Sequence, residues 1–309
     1  MELIRGLHNI KPQHHGCVAT IGSFDGVHRG HQAVIARLAE KSREFDLPAL
    51  VMTFEPQPLE YFQPDKAPVR LYRLRDKITA LRQTTIDRTL CVEFDYHFAA
   101  LEAEEFIDQV LFKALGVRHL VAGDDFRFGK DRIGDFAMLQ TRGAELGFDV
   151  ETLPTYEVNG ERVSSTRIRH CLDRSDFSAA ADLLGRPYQI SGRVAHGDKI
   201  GRTIGIPTAN IHLHRNRSPL QGIFVTELYG IGSEALPGVA SIGTRPTVGG
   251  TRALLEVHLF DFGEDIYGRY VNIGFMKKLR DEEKFDNIED MRKQIERDIE
   301  DGRAFFAAL

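Results

Sequence analysis

Apolar and polar positions follow two different rhythms along this chain. In the first part, continuous apolar runs of strand length at 17–21, 49–54, 90–94 and 119–122, with a further extended stretch at 149–153, alternate with other segments. Those segments, 33–45, 74–81, 103–115 and 133–146, carry apolar residues at helical spacing; Val34 and Leu38, for example, share one face of 33–45. Strands buried on both faces need unbroken apolar runs. Strands alternating with helices predict a doubly wound parallel α/β sheet with right-handed crossovers. Glu55-Pro56-Gln57-Pro58 closes the second run, because proline cannot extend a ladder. In such a sheet ligands sit beyond the carboxyl ends of the strands.

A short helix is predicted over 167–172 behind Ser165 and Thr166, and an alanine-rich one over 176–184. Gly185-Arg186-Pro187 breaks it, and the rhythm changes there. Apolar runs at 188–194, 223–229, 239–242, 254–260 and 270–275 are now separated by glycine-rich turns, which predicts an antiparallel barrel or sandwich. From Asp286 onward Ile288, Met291, Ile295 and Ile299 return to helical spacing, the mark of a C-terminal helix packed on that barrel. The expected division is an α/β domain over 1–184 and a barrel domain over 185–309.

Composition narrows the class. A chain of 309 residues is long for one core, and 42% hydrophobic with 28% charged residues is ordinary for a globular protein. A net charge of −5 argues against bulk nucleic-acid binding. Residues 1–13 have no signal-peptide core, and no apolar run reaches the ~18 residues of a membrane span. The three scattered cysteines, Cys17, Cys91 and Cys171, fit a reducing compartment, so a cytoplasmic protein without membrane or nucleic-acid partners is expected. Oligomeric state leaves no signature in the pattern.

The densest chemistry is Gly22-Ser23-Phe24-Asp25-Gly26-Val27-His28-Arg29-Gly30-His31, between the first apolar run and the first helix. Gly22, Gly26 and Gly30 permit close backbone approach, and helix amides with His28 and His31 converge where an anion would sit. Phosphate handling is the favoured reading. The alternatives are a tight turn alone, ordinary surface imidazoles among the twelve histidines, or a metal site with His14 and His15. No carboxylate or thiolate at familiar spacing completes such a metal site. The spacing matches neither the dinucleotide fingerprint nor the P-loop.

Two further stretches fall at strand or helix ends. Gly123-Asp124-Asp125-Phe126-Arg127-Phe128-Gly129 is either a plain loop or a seat for a flat, charged ligand. Arg162-Val163-Ser164-Ser165-Thr166-Arg167-Ile168-Arg169 is either a capped helix start or a polyphosphate clamp. In the second part, Gly192 to Asn210 includes Gly197, Lys199, Thr203, Thr208 and Asn210. Its glycines serve turns or cradle a polyphosphate with Lys199, while the Thr208 hydroxyl and Asn210 carbonyl are hard oxygens suited to Mg²⁺. Glu256 and His258 share one strand face, where a carboxylate is either solvated or a general base.

The stretch from Gly22 to His31 resembles the His-x-Gly-His nucleotidyltransferase signature, in the form found in bacterial bifunctional riboflavin kinase/FMN adenylyltransferases. Thr53-Phe54-Glu55-Pro56, Gly123 to Gly129 and Ser164 to Arg169 resemble further segments of that family, and Gly205-Ile206-Pro207-Thr208-Ala209-Asn210 resembles its flavokinase signature. Glu256-Val257-His258 and Leu279 to Phe285 fit in the same order. Departures are Phe224, where tyrosine is usual, and Ser241, where asparagine is common.

The resemblance implies a Rossmann-like nucleotidyltransferase domain and a riboflavin kinase-like barrel. It also implies two ATP-dependent steps: riboflavin to FMN, then FMN to FAD with release of pyrophosphate. By the same resemblance Glu256 is the base of the first step. Thr208 and Asn210 hold Mg²⁺, Gly192, Gly197, Lys199 and Thr203 lie on the nucleotide, and Arg280 borders the flavin. His28 and His31 serve the second step with Ser165, Thr166 and Arg169. Gly22, Phe24, Asp25, Gly26, Gly30, Phe54, Pro56, Asp125, Phe126, Phe128 and Arg162 line its nucleotide and flavin cleft. Adenylylation of another phosphorylated metabolite, and a non-catalytic flavin-binding protein, are the competing expectations.

Overall fold

The computed structural model describes residues 1–123, 125–197, 205–214, 217–247 and 250–309. Backbone contacts group them into two compact units, Met1–Pro68 with Tyr72–Ser165, and Val69–Leu71 with Thr166–Leu309.

The first unit is built on a six-stranded sheet of β1 (Glu2–Arg5), β2 (Cys17–Ile21), β3 (Ala49–Glu55), β4 (Arg88–Glu93), β5 (Val117–Ala122) and β6 (Asp149–Thr152). Their order is β1-β4-β3-β2-β5-β6, and every neighbouring pair is parallel. Every residue of β2 is buried, as its unbroken apolar run requires. Strand β1 escapes the pattern because Glu2-Leu3-Ile4-Arg5 is a mixed edge strand that buries only Ile4. Successive strands β2, β3 and β4 step one way across the sheet, and β5 returns to the far side of β2. Between the carboxyl ends of β2 and β5 the connections therefore diverge, which opens a crevice.

Helix α1 (Arg29–Phe45) starts four residues before the expected position because His28 caps it. The short α2 (Pro58–Phe62) was not marked by periodicity, whereas α3 (Leu74–Arg82) was. After α4 (Tyr96–Ala99), the segment expected as one helix is α5 (Ala103–Glu105) continued by a π-helical run, Phe106–Ala114. Phe106, Ile107, Val110 and Leu111 from that run pack with Cys17, Ala19, Leu50 and Met52 of the sheet. Helix α6 (Phe136–Leu146) begins behind Asp135, whose carboxylate accepts the Met138 amide at 2.9 Å; Ile133 is left 63% exposed outside it. A two-stranded hairpin of β7 (Glu157–Val158) and β8 (Glu161–Arg162) follows.

One network ties α1 to the sheet. Glu151 of β6 accepts two hydrogen bonds from Arg37, at 2.7 and 3.2 Å, and a third contact at 3.1 Å from Nε2 of His119 on β5. The His119 Nδ1 is buried without a partner among the described residues. Protonation there would bury an unsatisfied second donor, and burial pushes the His119 pKa below its ordinary value. The folded state thus binds fewer protons than the unfolded chain just below pH ~6.5. His119 is expected to weaken the fold as pH falls from about 6.5 toward its lowered folded value, and to be neutral above it. His119→Gln, which keeps a donor toward Glu151, should remove that part of the pH dependence in unfolding midpoints measured between about pH 5 and 8.

The second unit begins with α7 (Ser165–Asp173), from Thr166 on, and α8 (Phe177–Leu184). Strands β9 (Gln189–Ala195), β10 (Ala209–His212), β11 (Gly222–Tyr229), β12 (Leu236–Thr247), β13 (Gly250–Leu259) and β14 (Tyr270–Arg280) close into a barrel, ordered β10-β13-β12-β11-β14-β9. All its pairings are antiparallel, so no sheet edge is left open. Alternation is clear on β13: Ala253, Leu255, Val257 and Leu259 are buried while Glu256 and His258 are half-exposed. Helix α9 (Ile288–Ala307), capped by the Asn287 side chain, lies on β11 and β12. Gly302 lets it sit close, because a Cβ there would lie 2.6 Å from Val239 Cγ1 and 2.9 Å from the Phe260 ring. Gly302→Ala should therefore cost about 1–3 kcal/mol in denaturant unfolding of this unit, the range for overpacking a tight contact.

Two candidate active sites

The crevice between β2 and β5 is a cleft of about 500 Å³. Its walls come from Ile21 to Phe24 at the end of β2, His28, Gly30 and His31 at the start of α1, and Phe54 at the end of β3. Gly123, Asp125 and Phe126 after β5, with Arg162 to Ser165, complete them. His28 is the N-cap of α1, and its Nδ1 accepts the His31 amide hydrogen at 3.3 Å. That bond assigns the proton of the neutral His28 ring to Nε2, leaving it as a donor. The two imidazoles stack with centroids 3.6 Å apart, and Phe24 lies 4.8 Å from His31. Gly30 leaves room for this pair, since a Cβ there would stand 3.2 Å from the His28 ring.

The loop holding these groups is tied down from beneath. Phe24 and the β-branched Val27 take positive φ values of 49° and 44°, a conformation that persists only where the surroundings impose it. Asp25 is buried; its carboxylate accepts the Tyr72 amide at 2.9 Å, and its carbonyl accepts the Ser165 hydroxyl at 2.9 Å. The Thr53 hydroxyl donates to the Ser23 carbonyl at 3.2 Å and accepts from the fully buried Lys77 at the same distance. At the mouth, Arg162 pairs with Asp125 at 2.7 Å.

In the barrel, ladder register sets the chemistry. Glu256 lies opposite Asn210 of β10 on one side and Ser241 of β12 on the other, so these side chains stand on one face within about 5 Å at Cβ. Asn210 presses on Gly197, where a Cβ would sit 2.4 Å from its amide nitrogen. The His258 Nδ1–H donates to the Pro207 carbonyl at 2.9 Å and fixes the turn before Thr208. A cavity of about 350 Å³ is lined by Thr208, Glu256, His258 and Arg280, with Ile223, Val239 and Met291 as apolar walls. A second cavity of about 330 Å³ is lined by Pro207, Thr208, Ala209, Val194, Ile266 and Tyr267. Thr208 stands in the wall of both.

Comparison with known proteins agrees with this division. A family model described as FAD synthetase matches residues 10–167, and one described as riboflavin kinase matches 184–306. The bifunctional riboflavin kinase/FMN adenylyltransferase of Escherichia coli (strain K12) is 52% identical over 308 residues, covering 99% of this chain and 98% of that one. That of Pseudomonas fluorescens is 50% identical over 308 residues with the same coverage. The chain belongs to the bifunctional riboflavin kinase/FMN adenylyltransferase family. A Streptococcus pneumoniae crystal structure described as a macrolide-efflux protein shares the fold with a TM-score of 0.78 at 30% identity, over 96% of this chain and 97% of that one. Among the described residues no helix is long and apolar enough to cross a membrane.

The expected family residues do not all meet in one place. In the cleft beyond β2 and β5, Gly22, Phe24, His28, Gly30, His31, Phe54, Asp125, Phe126, Arg162 and Ser165 come together. Asp25 instead holds the loop from below, and Phe128 is 7% exposed, stacked on Phe126 and packed against Phe106. Gly26 and Pro56 are not among the described lining residues. Thr166 and Arg169 group with the barrel unit, where the Arg169 Nε–H donates to the Val69 carbonyl at 2.5 Å.

On the kinase side Thr208, Glu256 and Arg280 share a cavity, and Asn210 adjoins Glu256 by register. Gly192 serves packing, because a Cβ there would lie 2.2 Å from Ile211 Cγ2. Lys199 and Thr203 lie outside the described residues. Several lining residues were not singled out from sequence, among them Tyr156 and Gln57. Tyr156 sits in a loop without periodicity, and Gln57 was read only as part of a strand-ending turn, although its Nε2 is buried in the cleft wall without a partner among the described residues.

The double duty of His28 can be separated. His28→Asn keeps a cap acceptor and should be about 1 kcal/mol more stable to urea than His28→Ala. Both variants should lose FAD formation from FMN, since neither carries an Nε2 donor.

Proposed function

We propose that the cavity around Glu256 carries out the riboflavin kinase step and the cleft around His28 and His31 the FMN adenylyltransferase step. The observation that supports this reading is that each of the two family matches spans one of these two unlike cavities. The division at 184/185 is proposed as the functional domain boundary, and the cytoplasm as the working compartment.

In the kinase step the 5′-hydroxyl oxygen of riboflavin bonds to the γ-phosphorus of ATP as the bond to the β-γ bridging oxygen breaks, giving FMN and ADP. Glu256 accepts the hydroxyl proton. Thr208, shared by two adjoining cavities, is where two substrates would meet. Placement of the nucleotide in the cavity beside Tyr267, and of riboflavin in the one beside Glu256, follows from where the base sits. A hydroxyl and an amide carbonyl are hard oxygen donors, and no group of three or more His, Cys, Asp or Glu suited to a metal occurs among the described residues. This donor set fits Mg²⁺ held largely by substrate phosphates, with Thr208 and Asn210 as protein ligands. Bound there, Mg²⁺ would neutralise charge on the transferring phosphoryl group.

In the second step a phosphate oxygen of FMN bonds to the α-phosphorus of ATP, and the bond to the β-phosphate breaks to release pyrophosphate. His28, with its donor Nε2, and His31 stabilise the negative charge of the transition state and of the leaving group, at the amide-rich start of α1. Phe54 and Phe126 supply flat apolar surface for the flavin and the adenine. Asp125, bridged to Arg162, borders the same opening.

Chromatography of flavins after incubation with riboflavin, ATP and Mg²⁺ tests the assignment. Glu256→Gln should lower FMN formation by about 10² or more while still converting supplied FMN to FAD. His28→Ala combined with His31→Ala should stall at FMN. Loss of both activities in either variant would overturn the separation.

A further inference from the structure

Arg280, at the end of β14, lines the barrel cavity, yet its hydrogen-bonding edges are already engaged by the protein. Nε donates to Asp298 Oδ1 at 2.8 Å and Nη2 to Asp298 Oδ2 at 2.7 Å, a bidentate pair. Nη1 donates to the Asp281 carbonyl at 3.0 Å and lies 2.9 Å from Glu283. Asp298 comes from α9, is 3% exposed, and also accepts from Gln294 at 3.1 Å. A guanidinium with its fork committed in this way is a poor clamp for phosphate. What it still presents is a flat face, with its charge offset by a buried carboxylate. The Phe285 ring lies 6.0 Å away, and Ile223, Val239, Met291 and Ile295 give the cavity apolar walls alongside its glutamates. An uncharged, planar, fused aromatic ring suits such a slot.

We propose that Asp298 is a positioning residue, which holds Arg280 as a charge-neutralised planar wall for the isoalloxazine ring of riboflavin. This deepens the reading that the Glu256 cavity is the riboflavin site and rests on it. Without Asp298 the guanidinium is released among Glu256, Glu282 and Glu283, which line the same cavity, and the flat wall is lost.

Steady-state kinetics of riboflavin phosphorylation test it. Asp298→Asn should raise the KM for riboflavin about tenfold while kcat changes less than about threefold, with FAD formation from supplied FMN unaltered. Arg280→Lys, which keeps charge and loses the plane, should raise KM similarly. The two together should be no worse than the larger single effect, because both remove one wall. A wild-type KM in Asp298→Asn, or single effects that multiply in the double variant, would overturn the proposal. If Asp298→Asn does not fold, Asp298→Leu with Arg280→Met replaces the buried pair by apolar side chains. Its KM should also rise, and a wild-type value would overturn the proposal equally. Unimpaired FMN formation by Glu256→Gln would overturn the site reading itself, a separate outcome.

Discussion

A single backbone-to-ring hydrogen bond, from the His31 amide to Nδ1 of His28, organises the proposed adenylyltransferase cleft. It satisfies one of the unpaired amides at the start of α1, it fixes which ring nitrogen keeps a proton, and it brings the two imidazoles face to face. The loop that precedes it takes an unfavourable backbone path at Phe24 and Val27. The supports of that loop are buried: Asp25 on Tyr72 and Ser165, and Thr53 on Ser23. Helix start and proposed catalytic group are thus one construction. The stability of one cannot be discussed apart from the geometry of the other.

The barrel solves a related problem by different means. There no helix end gathers the functional groups; ladder register does. Glu256 is set between Asn210 and Ser241 by the pairing of three strands, and a slip of one residue would send it into the core. Helix α9 adds a second constraint from outside by reaching Arg280 through Asp298. Phosphoryl and nucleotidyl transfer both depend chiefly on positioning and charge neutralisation, so either scaffold can serve once its groups are rigid.

Much of this was legible in the sequence, for identifiable reasons. Buried strands such as β2 and β3 are predominantly apolar, so both were visible, as was the switch from helical to alternating texture after Leu184. The glycine- and histidine-rich stretch stood out because few structural roles need that mixture. Short elements were silent: β1 is an edge strand that buries one side chain, and β10 is four residues inside a glycine-rich motif. Direction was also hidden. Asp25 sits among ligand-facing residues in sequence but points beneath the loop, because alternate side chains of a tight turn face opposite ways. The partnership of Arg280 with Asp298 spans 18 residues and a change of secondary structure, so no local pattern announces it.

The position of Thr208 between two cavities has a further consequence. On the proposed assignment a nucleotide in one cavity and a flavin in the other would both touch this one side chain. A synthetic molecule joining a purine to a flavin-like ring would then have to run past this hydroxyl side chain. The length and thinness of the tether, more than the affinity of either end, would then govern how well such a molecule fits.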